Sequence, residues 1–278
     1  MKDGRLIKKL RKERGVTQTQ LVEGIGSRSA LARFEAGDTV INLDTLILYL
    51  DKLNIQPEEY FLMRKNFEKT TKKHFFDNFM IHIYEKNREE KNDYLSNLWS
   101  HYEETKDSFY IFLYIQVIGI LAKMEDKEKQ KDIKCLLDIV ISYLDKVESW
   151  GYFELSMYTN LLFCFSHIYR EQMYKKILSN FNKYQNSTMH QRCKHIFLIN
   201  SIILALEDKK EEKALFFLQE LHLSSNDPHD MFSRVSYFIL RNILTRNVEK
   251  VHYSIQFLKE LGYVGVVEQF EAILEKHL

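Results

Sequence analysis

Two arginines lie about one helical turn apart in a short polar stretch near the start of the chain: Arg28, between Ser27 and Ser29, and Arg33. A guanidinium group carries a planar fork of donors that fits O6 and N7 of guanine, and it also binds phosphate oxygens. Ser27 is a favourable N-cap residue, so Arg28 would occupy the first turn of a helix. The pattern predicts that Arg28 contacts bases, flanked by Ser27 and Ser29, and that Arg33 reaches a base or the adjacent backbone.

The segment before this stretch predicts a second, shorter helix beside the DNA backbone. Thr17 is followed three residues later by Gln20, which is the pattern of a capping box. Thr17 and Gln18 are predicted to contact phosphate oxygens together with free N–H groups. A tight turn with two glycines separates the two helices. This layout is a helix-turn-helix, whose second helix enters the major groove, roughly 12 Å wide.

A small helical domain must hold these two helices, and residues 1–65 predict five helices in all. The first helix is predicted at about 4–14 and the third at about 28–36. The second is predicted to start at Thr17, the fourth at Asn42 or Asp44, and the fifth at Glu58, directly after Pro57. The apolar residues predicted to face inward are Leu6, Ile7, Leu10, Leu21, Ile25, Leu31 and Phe34, with a stripe on the fourth helix at Leu43, Leu46, Ile47, Leu50 and Leu53. Arg11 and Glu35 are predicted to form an internal ion pair.

The positive charge of the chain is concentrated in its first part. Residues 1–36 carry nine Lys or Arg against four Asp or Glu, a net charge of +5, whereas the whole chain of 278 residues has a net charge of +1. Residues 66–278 carry 28 basic against 30 acidic side chains, a net charge of −2. An anionic partner such as duplex DNA is therefore expected at residues 1–65, because attraction to phosphates must come from local charge.

From about residue 66 the sequence predicts long amphipathic helices. Only 9 glycines and 2 prolines occur in 278 residues, which disfavours many short strands. Candidate repeats start at Asp107, Trp150, Met189 and Pro228, which are 43, 39 and 39 residues apart. Helix pairs of about 40 residues are typical of tetratricopeptide-like and HEAT-like units. The predicted fold is all-α: a five-helix helix-turn-helix domain at 1–65, then an α-solenoid of tetratricopeptide-like helix pairs at 66–278, with an irregular bundle as the alternative for the second part.

Six side chains on the predicted repeat helices have the chemistry to hold an extended peptide. Asn amides pair with a peptide backbone, Arg binds a carboxylate, and aromatic rings supply apolar pockets. The candidates are Asn160, Arg170, Asn200, Arg234, Tyr237 and Arg241. Asn and Arg on long helices more often face solvent or bridge neighbouring repeats, and this alternative stands for each of them. Trp150, Phe153 and Leu155 predict packing, and Glu154 is given no ligand role.

Signals for catalysis, metal binding and membrane insertion are weak. Cys135, Cys164 and Cys193 lie far apart in apolar stretches, which predicts buried thiols in a reducing compartment. His190 and His195, near Cys193, fall on different sides of a helix, a poor geometry for one metal ion. The longest uncharged runs are shorter than the roughly 20 residues that span a bilayer. We therefore expect no enzyme activity, cofactor, metal site or membrane segment, and a cytoplasmic location.

The motifs of both parts resemble known regulators. Gln18-x-x-Leu21 followed by Ser27-Arg28-Ser29-x-Leu31-x-Arg33-Phe34-Glu35-x-Gly37 resembles the phage-repressor-type (Xre) helix-turn-helix over about residues 3–62. Glu23-Gly24-Ile25-Gly26-Ser27-Arg28-Ser29, and later Trp150-Gly151-Tyr152-Phe153-Glu154-Leu155 followed by Asn160-Leu161-Leu162, are similar to the Rgg/MutR/GadR regulators of Gram-positive bacteria. This second resemblance covers essentially the whole chain.

The resemblance to Rgg/MutR/GadR regulators implies a homodimeric transcription factor. Its helix-turn-helix would bind a double-stranded DNA operator, and its repeat domain would bind a short signalling peptide. Family members that answer to no known peptide also exist, so a ligand-independent regulator is one alternative. Another is a helical-repeat scaffold that docks a protein partner while the helix-turn-helix locates it on DNA.

Overall fold

The computed structural model describes residues 3–84, 87–125, 130–227 and 230–277, and over these ranges it consists of helices and turns without strands, as predicted. The chain divides into two compact units, Met1–Phe76 and Asp77–Leu278, which we call the head unit and the body unit. The first helices are α1 (Asp3–Glu13), α2 (Gln18–Val22), α3 (Arg28–Ala36), α4 (Leu43–Lys52), α5 (Pro57–Arg64) and α6 (Thr71–Tyr84). The later helices are α7 (Arg88–Thr105), α8 (Ser108–Glu125), α9 (Gln130–Lys146), α10 (Tyr152–Asn160), α11 (His167–Lys183), α12 (Thr188–Glu207), α13 (Glu211–Ser224), α14 (Met231–Leu244), α15 (Val248–Glu260) and α16 (Val264–His277).

The five helices predicted for residues 1–65 are present as α1 to α5, and the predicted caps set their ends. Ser27 caps α3, and Gly37 ends it in the left-handed region with φ of 90°. Asn42, one of the two candidates, caps α4 through its side chain. Pro57 is the first residue of α5, so this helix begins one residue earlier than predicted.

The core of the head unit contains most of the residues predicted to face inward, but α4 is rotated from its predicted orientation. Leu50 and Leu53 are buried, whereas Leu43 and Ile47 are 62% and 45% exposed, and Tyr49 is buried instead. Helix α4 carries apolar residues on more than one side, so periodicity alone cannot select its inner face. Its contacts with α2 and α5 decide the orientation.

The body unit is a stack of helix pairs in which α7 contacts α8, α8 contacts α9, and the consecutive helices from α11 to α16 contact one another. Helices α8, α10, α12, α14 and α16 also contact one another in that order, so they form a continuous row. This pattern is typical of a repeat stack and contradicts an irregular bundle. Asp107, Trp150 and Met189 lie next to or close to the starts of α8, α10 and α12, as predicted. Pro228 lies outside the described residues, and α14 begins at Met231.

Trp150, predicted to be a packing residue, joins α9, α10 and α11. Its side chain is fully buried, and its indole N–H donates to the Leu144 carbonyl at the end of α9 at 3.1 Å. Its backbone N–H donates to Oδ1 of Asn180 on α11 at 3.3 Å. The ammonium of Lys176 lies 4.8 Å from the centroid of the indole ring. The tryptophan therefore connects two successive helix pairs.

Glu154 has a capping role that the sequence left open. Its Oε2 accepts the backbone N–H of Gly151 at 2.9 Å, and Tyr143 donates its hydroxyl to Oε1 at 2.6 Å. Burial and the bond to this carboxylate raise the pKa of Tyr143 above its ordinary value, so the phenol remains a donor. The carboxylate thus satisfies the start of α10 and ties it to α9.

Gly4 allows α1 and α3 to approach closely. A Cβ atom at this position would lie 1.8 Å from the backbone oxygen of Phe34, far inside contact distance. Since a backbone atom cannot swing away as a long side chain does, any larger residue at position 4 must push the two helices apart. The spacing between α1 and α3 thus depends on this glycine.

We expect Gly4→Ala to destabilise the protein by about 1–3 kcal/mol because the added methyl forces α1 away from α3. Urea denaturation measures the loss, and amide hydrogen exchange in α1 and α3 assigns it to the head unit. Gly26→Ala is the matched control, because nothing lies within 4 Å of a Cβ built there. Equal stability of the two variants would contradict this account of the packing.

Candidate nucleic-acid interface and ligand pocket

Helix α3 presents the residues predicted to contact DNA to solvent. Ser27, Arg28, Ser29 and Arg33 are all exposed. The Ser27 hydroxyl accepts the backbone N–H of Ala30 at 3.2 Å and lies 3.1 Å from the Ser29 hydroxyl. The cap therefore fixes the first turn of α3, where Arg28 lies, and leaves its guanidinium on the surface.

The predicted capping box of α2 is present. The Thr17 hydroxyl accepts the backbone N–H of Gln20 at 3.2 Å, and Gln20 Oε1 accepts the Thr17 backbone N–H at 2.8 Å. Thr17 is exposed at this end of the helix. The box satisfies free backbone N–H groups at the start of α2 and fixes where this helix begins.

A buried ion pair connects α1 to α3, as the sequence predicted. Nε of Arg11 donates to Oε1 of Glu35 at 2.6 Å and Nη2 donates to Oε2 at 2.8 Å, with side-chain exposures of 8% and 1%. Arg11 Nη1 also donates to the Val16 carbonyl at 2.8 Å. Burial by itself would raise the pKa of Glu35, but the bonds from Arg11 and Gln18 outweigh it, so this pKa lies below its ordinary value.

Gln18 has a structural role that the sequence pattern does not predict. Its amide Nε2 donates to Oε2 of Glu35 at 2.9 Å, and its Oε1 accepts Nε of Arg28 at 3.5 Å. The side chain of Gln18, predicted to contact phosphates, is therefore engaged between the buried ion pair and the exposed Arg28. In the sequence, only the predicted Arg11–Glu35 pair pointed to this role of Gln18. A buried carboxylate has more lone pairs than one guanidinium fills, so Glu35 needs a further donor.

Lys52, at the end of α4, is a second residue whose role only the structure indicates. Its ammonium donates to the backbone carbonyl of Gln20 at 3.2 Å and to that of Glu23. These carbonyls lie at the C-terminal end of α2, where a positive charge stabilises the helix dipole. Lys52 therefore fastens the first helix of the helix-turn-helix to α4.

Two of the predicted peptide-binding residues bridge helices of the body unit. Asn160 donates its amide Nδ2 to Oε1 of Gln116 at 2.7 Å, which connects α10 to α8. Asn200 donates Nδ2 to the Thr159 carbonyl at 3.3 Å, which connects α12 to α10. Both side chains are half-buried on the row of even-numbered helices. They retain partial access, but each already uses its amide group within the fold.

Arg170 differs from the other candidates because it is buried. It lies on α11, outside the row of even-numbered helices, and only 7% of the residue is exposed. Its Nη2 donates to Oδ2 of Asp208 at the end of α12, at 3.2 Å. The prediction assumed an accessible guanidinium, whereas the structure places it in an ion pair between neighbouring helices. We therefore do not include Arg170 in the proposed ligand site.

The remaining three candidates lie together on α14, around a cavity of about 460 Å³. Arg234, Tyr237 and Arg241 line it together with His222, Met231, Val235, Phe238, Tyr253, Ser254 and Phe257. The ring of Tyr237 stacks on that of His222, with centroids 4.8 Å apart. The cavity is apolar in most of its walls and cationic in its charged groups, as in pockets that bind small organic ligands.

The cysteines and histidines form no metal site over the part of the chain that the structure describes, where no group of three or more His, Cys, Asp or Glu is suitably placed. Cys193 is buried, and burial raises the pKa of its thiol to about 12, while Cys164 is half-buried. The side chain of Cys135 lies outside the described residues. His195 pairs through Nδ1 with Asp230. Among the same residues, no helix has the length and apolar character needed to cross a bilayer.

An exposed, capped helix α3 in a cationic five-helix unit, followed by a helical-repeat unit, is the architecture of helix-turn-helix regulators. Family comparison agrees with this architecture at both ends. The family described as the C-terminal domain of the HTH-type transcriptional regulator Rgg matches residues 115–272, more than half of the chain, and a helix-turn-helix family matches residues 7–60. The chain therefore belongs to the Rgg family of helix-turn-helix transcriptional regulators.

Solved structures share the fold over nearly the whole chain. A candidate transcriptional regulator from Listeria monocytogenes EGD-e is 21% identical, with a TM-score of 0.77, covering 99% of this chain and 96% of that one. The SHP pheromone receptor Rgg2 of Streptococcus dysgalactiae is 18% identical, with a TM-score of 0.70 and 99% and 100% coverage. PrgX in complex with iCF10 is 15% identical, with a TM-score of 0.71 and 98% and 95% coverage. Among curated proteins, none matches the chain.

We expect Glu35→Leu to destabilise the head unit by about 3–5 kcal/mol, because it leaves the Arg11 guanidinium buried without its counter-charge. The double variant Arg11→Met/Glu35→Leu should regain most of this loss, since it removes both charges. Urea denaturation together with amide hydrogen exchange in α1 and α3 measures both effects. A double variant as unstable as the single one would show that the ion pair is not the source of the loss.

The same pair predicts a pH dependence. Because the pKa of Glu35 is lowered by folding, its contribution to stability is complete above the unfolded pKa and disappears as the pH falls through the folded pKa. Denaturation midpoints of the wild type should therefore decline more steeply in acid than those of the double variant. Parallel pH profiles for the two proteins would refute the assignment.

Proposed function

We propose that this chain is a sequence-specific DNA-binding regulator in which α3 reads an operator and the body unit is controlled by a short signalling peptide. The observation that carries the first half is the position of Arg28. Its guanidinium lies exposed at the first turn of a capped helix and is linked through Gln18 to the buried pair of Arg11 and Glu35. A reading side chain that is already oriented loses less conformational entropy on binding.

In the proposed complex the N-terminal end of α3 enters the major groove. Arg28 contacts a guanine through two parallel hydrogen bonds, and Ser27 and Ser29 contact neighbouring bases or phosphates. Arg33, one turn further along the same helix, contacts the backbone or an adjacent base. Thr17, exposed at the start of α2, meets a phosphate, and the network of Gln18 orients Arg28.

The proposed regulator is a homodimer that pairs through its body units. Two reading helices then contact half-sites about one DNA turn apart, roughly 34–36 Å. A ligand changes operator affinity only if it binds one arrangement of the dimer more tightly than another. We place this protein in the cytoplasm and assign it no catalytic activity, in keeping with a regulator that acts on DNA.

Support for peptide control comes from the relatives and from the body unit. The Rgg2 protein of similar fold is described as an SHP pheromone receptor, and PrgX forms a complex with iCF10. In this chain, Arg234, Tyr237 and Arg241 surround a cavity of about 460 Å³. Asn160 and Asn200, on the same row of helices, are proposed to extend the site along α10 and α12. A ligand-independent regulator is the alternative.

We expect Arg28→Ala to lower the preference for the operator over random duplex by about 1–3 kcal/mol, because the variant loses its bidentate contact with a base. Binding to random duplex should remain and should stay sensitive to salt. Competition binding with an operator obtained from a genome-wide footprint measures the ratio of the two affinities.

Arg5→Ala is the matched control for this experiment. Arg5 is exposed on α1, so its loss removes one positive charge from the same unit without touching α3. This control should weaken binding to both duplexes and leave their ratio unchanged. If Arg28→Ala kept the full preference for the operator, α3 would not read the operator in the way proposed.

Peptide control predicts a shift in melting temperature. A peptide fraction from the culture of the source organism should raise the melting temperature of the purified chain, because a specific ligand stabilises the folded state by mass action. The same fraction should change operator affinity in the competition assay. Treatment of the fraction with a protease is the control and should abolish both effects. No effect from any fraction would favour the ligand-independent regulator.

A further inference from the structure

We propose that the cavity on α14 binds the C-terminal end of a short apolar peptide, with the last side chain between its aromatic walls and the α-carboxylate on the guanidinium of Arg241. This inference rests on the proposed peptide control and adds the orientation of the ligand, which that proposal leaves open. Its basis is the composition of the cavity wall and the different states of its two arginines.

Apolar side chains around the cavity are unusually exposed for their size. Phe238 is 39% exposed, Phe257 is 40% exposed and Tyr253 is 76% exposed, and Met231 at the start of α14 is 51% exposed. They come from two neighbouring helices and line the same cavity. Isolated exposed apolar residues are common on proteins, whereas a group of them around one cavity marks a binding site. An apolar side chain of a ligand would gain stability by covering them.

The charge of the wall determines which end of a peptide fits. The charged residues in the lining are Arg234 and Arg241, and the lining contains no Asp or Glu. An α-ammonium group would be repelled by these guanidinium groups and would find no carboxylate to pair with. An α-carboxylate would be attracted and would form charge-assisted hydrogen bonds. The cavity therefore favours the C-terminus over the N-terminus.

The two arginines differ in what they already bind. Nη1 of Arg234 donates to Nδ1 of His222 at 3.1 Å and to the His222 carbonyl at 3.3 Å, and its guanidinium lies 5.6 Å from the Tyr237 ring. Arg241 is exposed, and over the described residues its guanidinium has neither a hydrogen bond nor an ion pair. We therefore assign the carboxylate to Arg241, while Arg234 adds positive charge from a fixed position.

The size of the cavity limits how much of a peptide it holds. Its volume of about 460 Å³ lies in the lower part of the roughly 300–1,000 Å³ range of small-molecule pockets. It suits the last residues of a peptide and not an entire chain. Short peptides that carry only an apolar C-terminal sequence are thus sufficient probes for this site.

The test compares two probes that differ only at the C-terminus. The full chain is titrated with acetyl-Val-Ile-Phe carrying a free carboxylate and with the corresponding C-terminal amide, and affinities are measured by ligand-detected NMR. We expect the acid to bind about tenfold or more tightly than the amide, because a hydrogen-bonded charge pair forms only with the acid. Equal affinities for acid and amide would overturn the proposal.

Variants locate the effect in the cavity. Arg241→Gln should remove the preference for the acid, because the charged hydrogen-bonded pair can no longer form. Arg246→Gln, at an exposed position just after α14 and outside the lining, makes the same change in net charge and should keep the preference. Phe257→Ala should weaken both probes alike because it removes an apolar wall. Loss of the preference in Arg246→Gln as well would indicate general charge attraction and would refute the site.

A further titration distinguishes a peptide ligand from another apolar carboxylate. Decanoate has the same terminal group without a peptide backbone, and tighter binding of decanoate than of the tripeptide acid would overturn the proposal in favour of a lipid-like ligand. If the orientation is wrong but the proposed function is right, the probes fail while culture peptide still changes operator affinity. If culture peptide has no effect while the acid probe still binds through Arg241, the proposed peptide control is wrong and the proposed carboxylate site is supported.

Discussion

The buried pair of Arg11 and Glu35 is the interaction on which the exposed surface of α3, the proposed DNA-binding surface, depends. It joins α1 to α3 with two short hydrogen bonds in a region with almost no solvent, where removing either charge leaves the other without compensation. An apolar pair would also fill this space, but it would offer no acceptor to Gln18. Because Gln18 bonds both to Glu35 and to Arg28, the ion pair extends its influence to a side chain on the surface.

The body unit is stabilised in a different way, because each helix pair buries its apolar face only against its neighbours. Polar residues at these boundaries act as bridges: Asn160 to Gln116, Asn200 to Thr159, and Arg170 to Asp208. Groups of this kind resemble ligand contacts when read from sequence, because bridging and ligand binding use the same amides and guanidiniums. Burial distinguishes them, and it removes Arg170 from the set.

The surface of α14 stands apart from these bridges because its aromatic and cationic side chains face a cavity. Apolar surface that remains exposed in this way is unfavourable in water, so covering it with a ligand or partner would lower the free energy. The head unit holds Arg28 through the hydrogen bond from its guanidinium to Gln18, whereas in the body unit the guanidinium of Arg241 has no hydrogen bond or ion pair over the described residues. The two units therefore differ in how their exposed arginines Arg28 and Arg241 are held.

Local patterns in the sequence determined the all-α class, the N-caps of α2 and α3, the repeat starts at Asp107, Trp150 and Met189, and the Arg11–Glu35 pair. The caps and the repeat starts depend on residues close in the chain, so spacing suffices to predict them. The ion pair was predicted because a charge inside the fold needs an opposite partner. The inner face of α4, the roles of Gln18, Lys52 and Glu154, and the burial of Arg170 required the tertiary structure. Periodicity identifies the buried face only when a helix has a single apolar side. A polar side chain with several possible partners bonds to the partner that packing brings within reach.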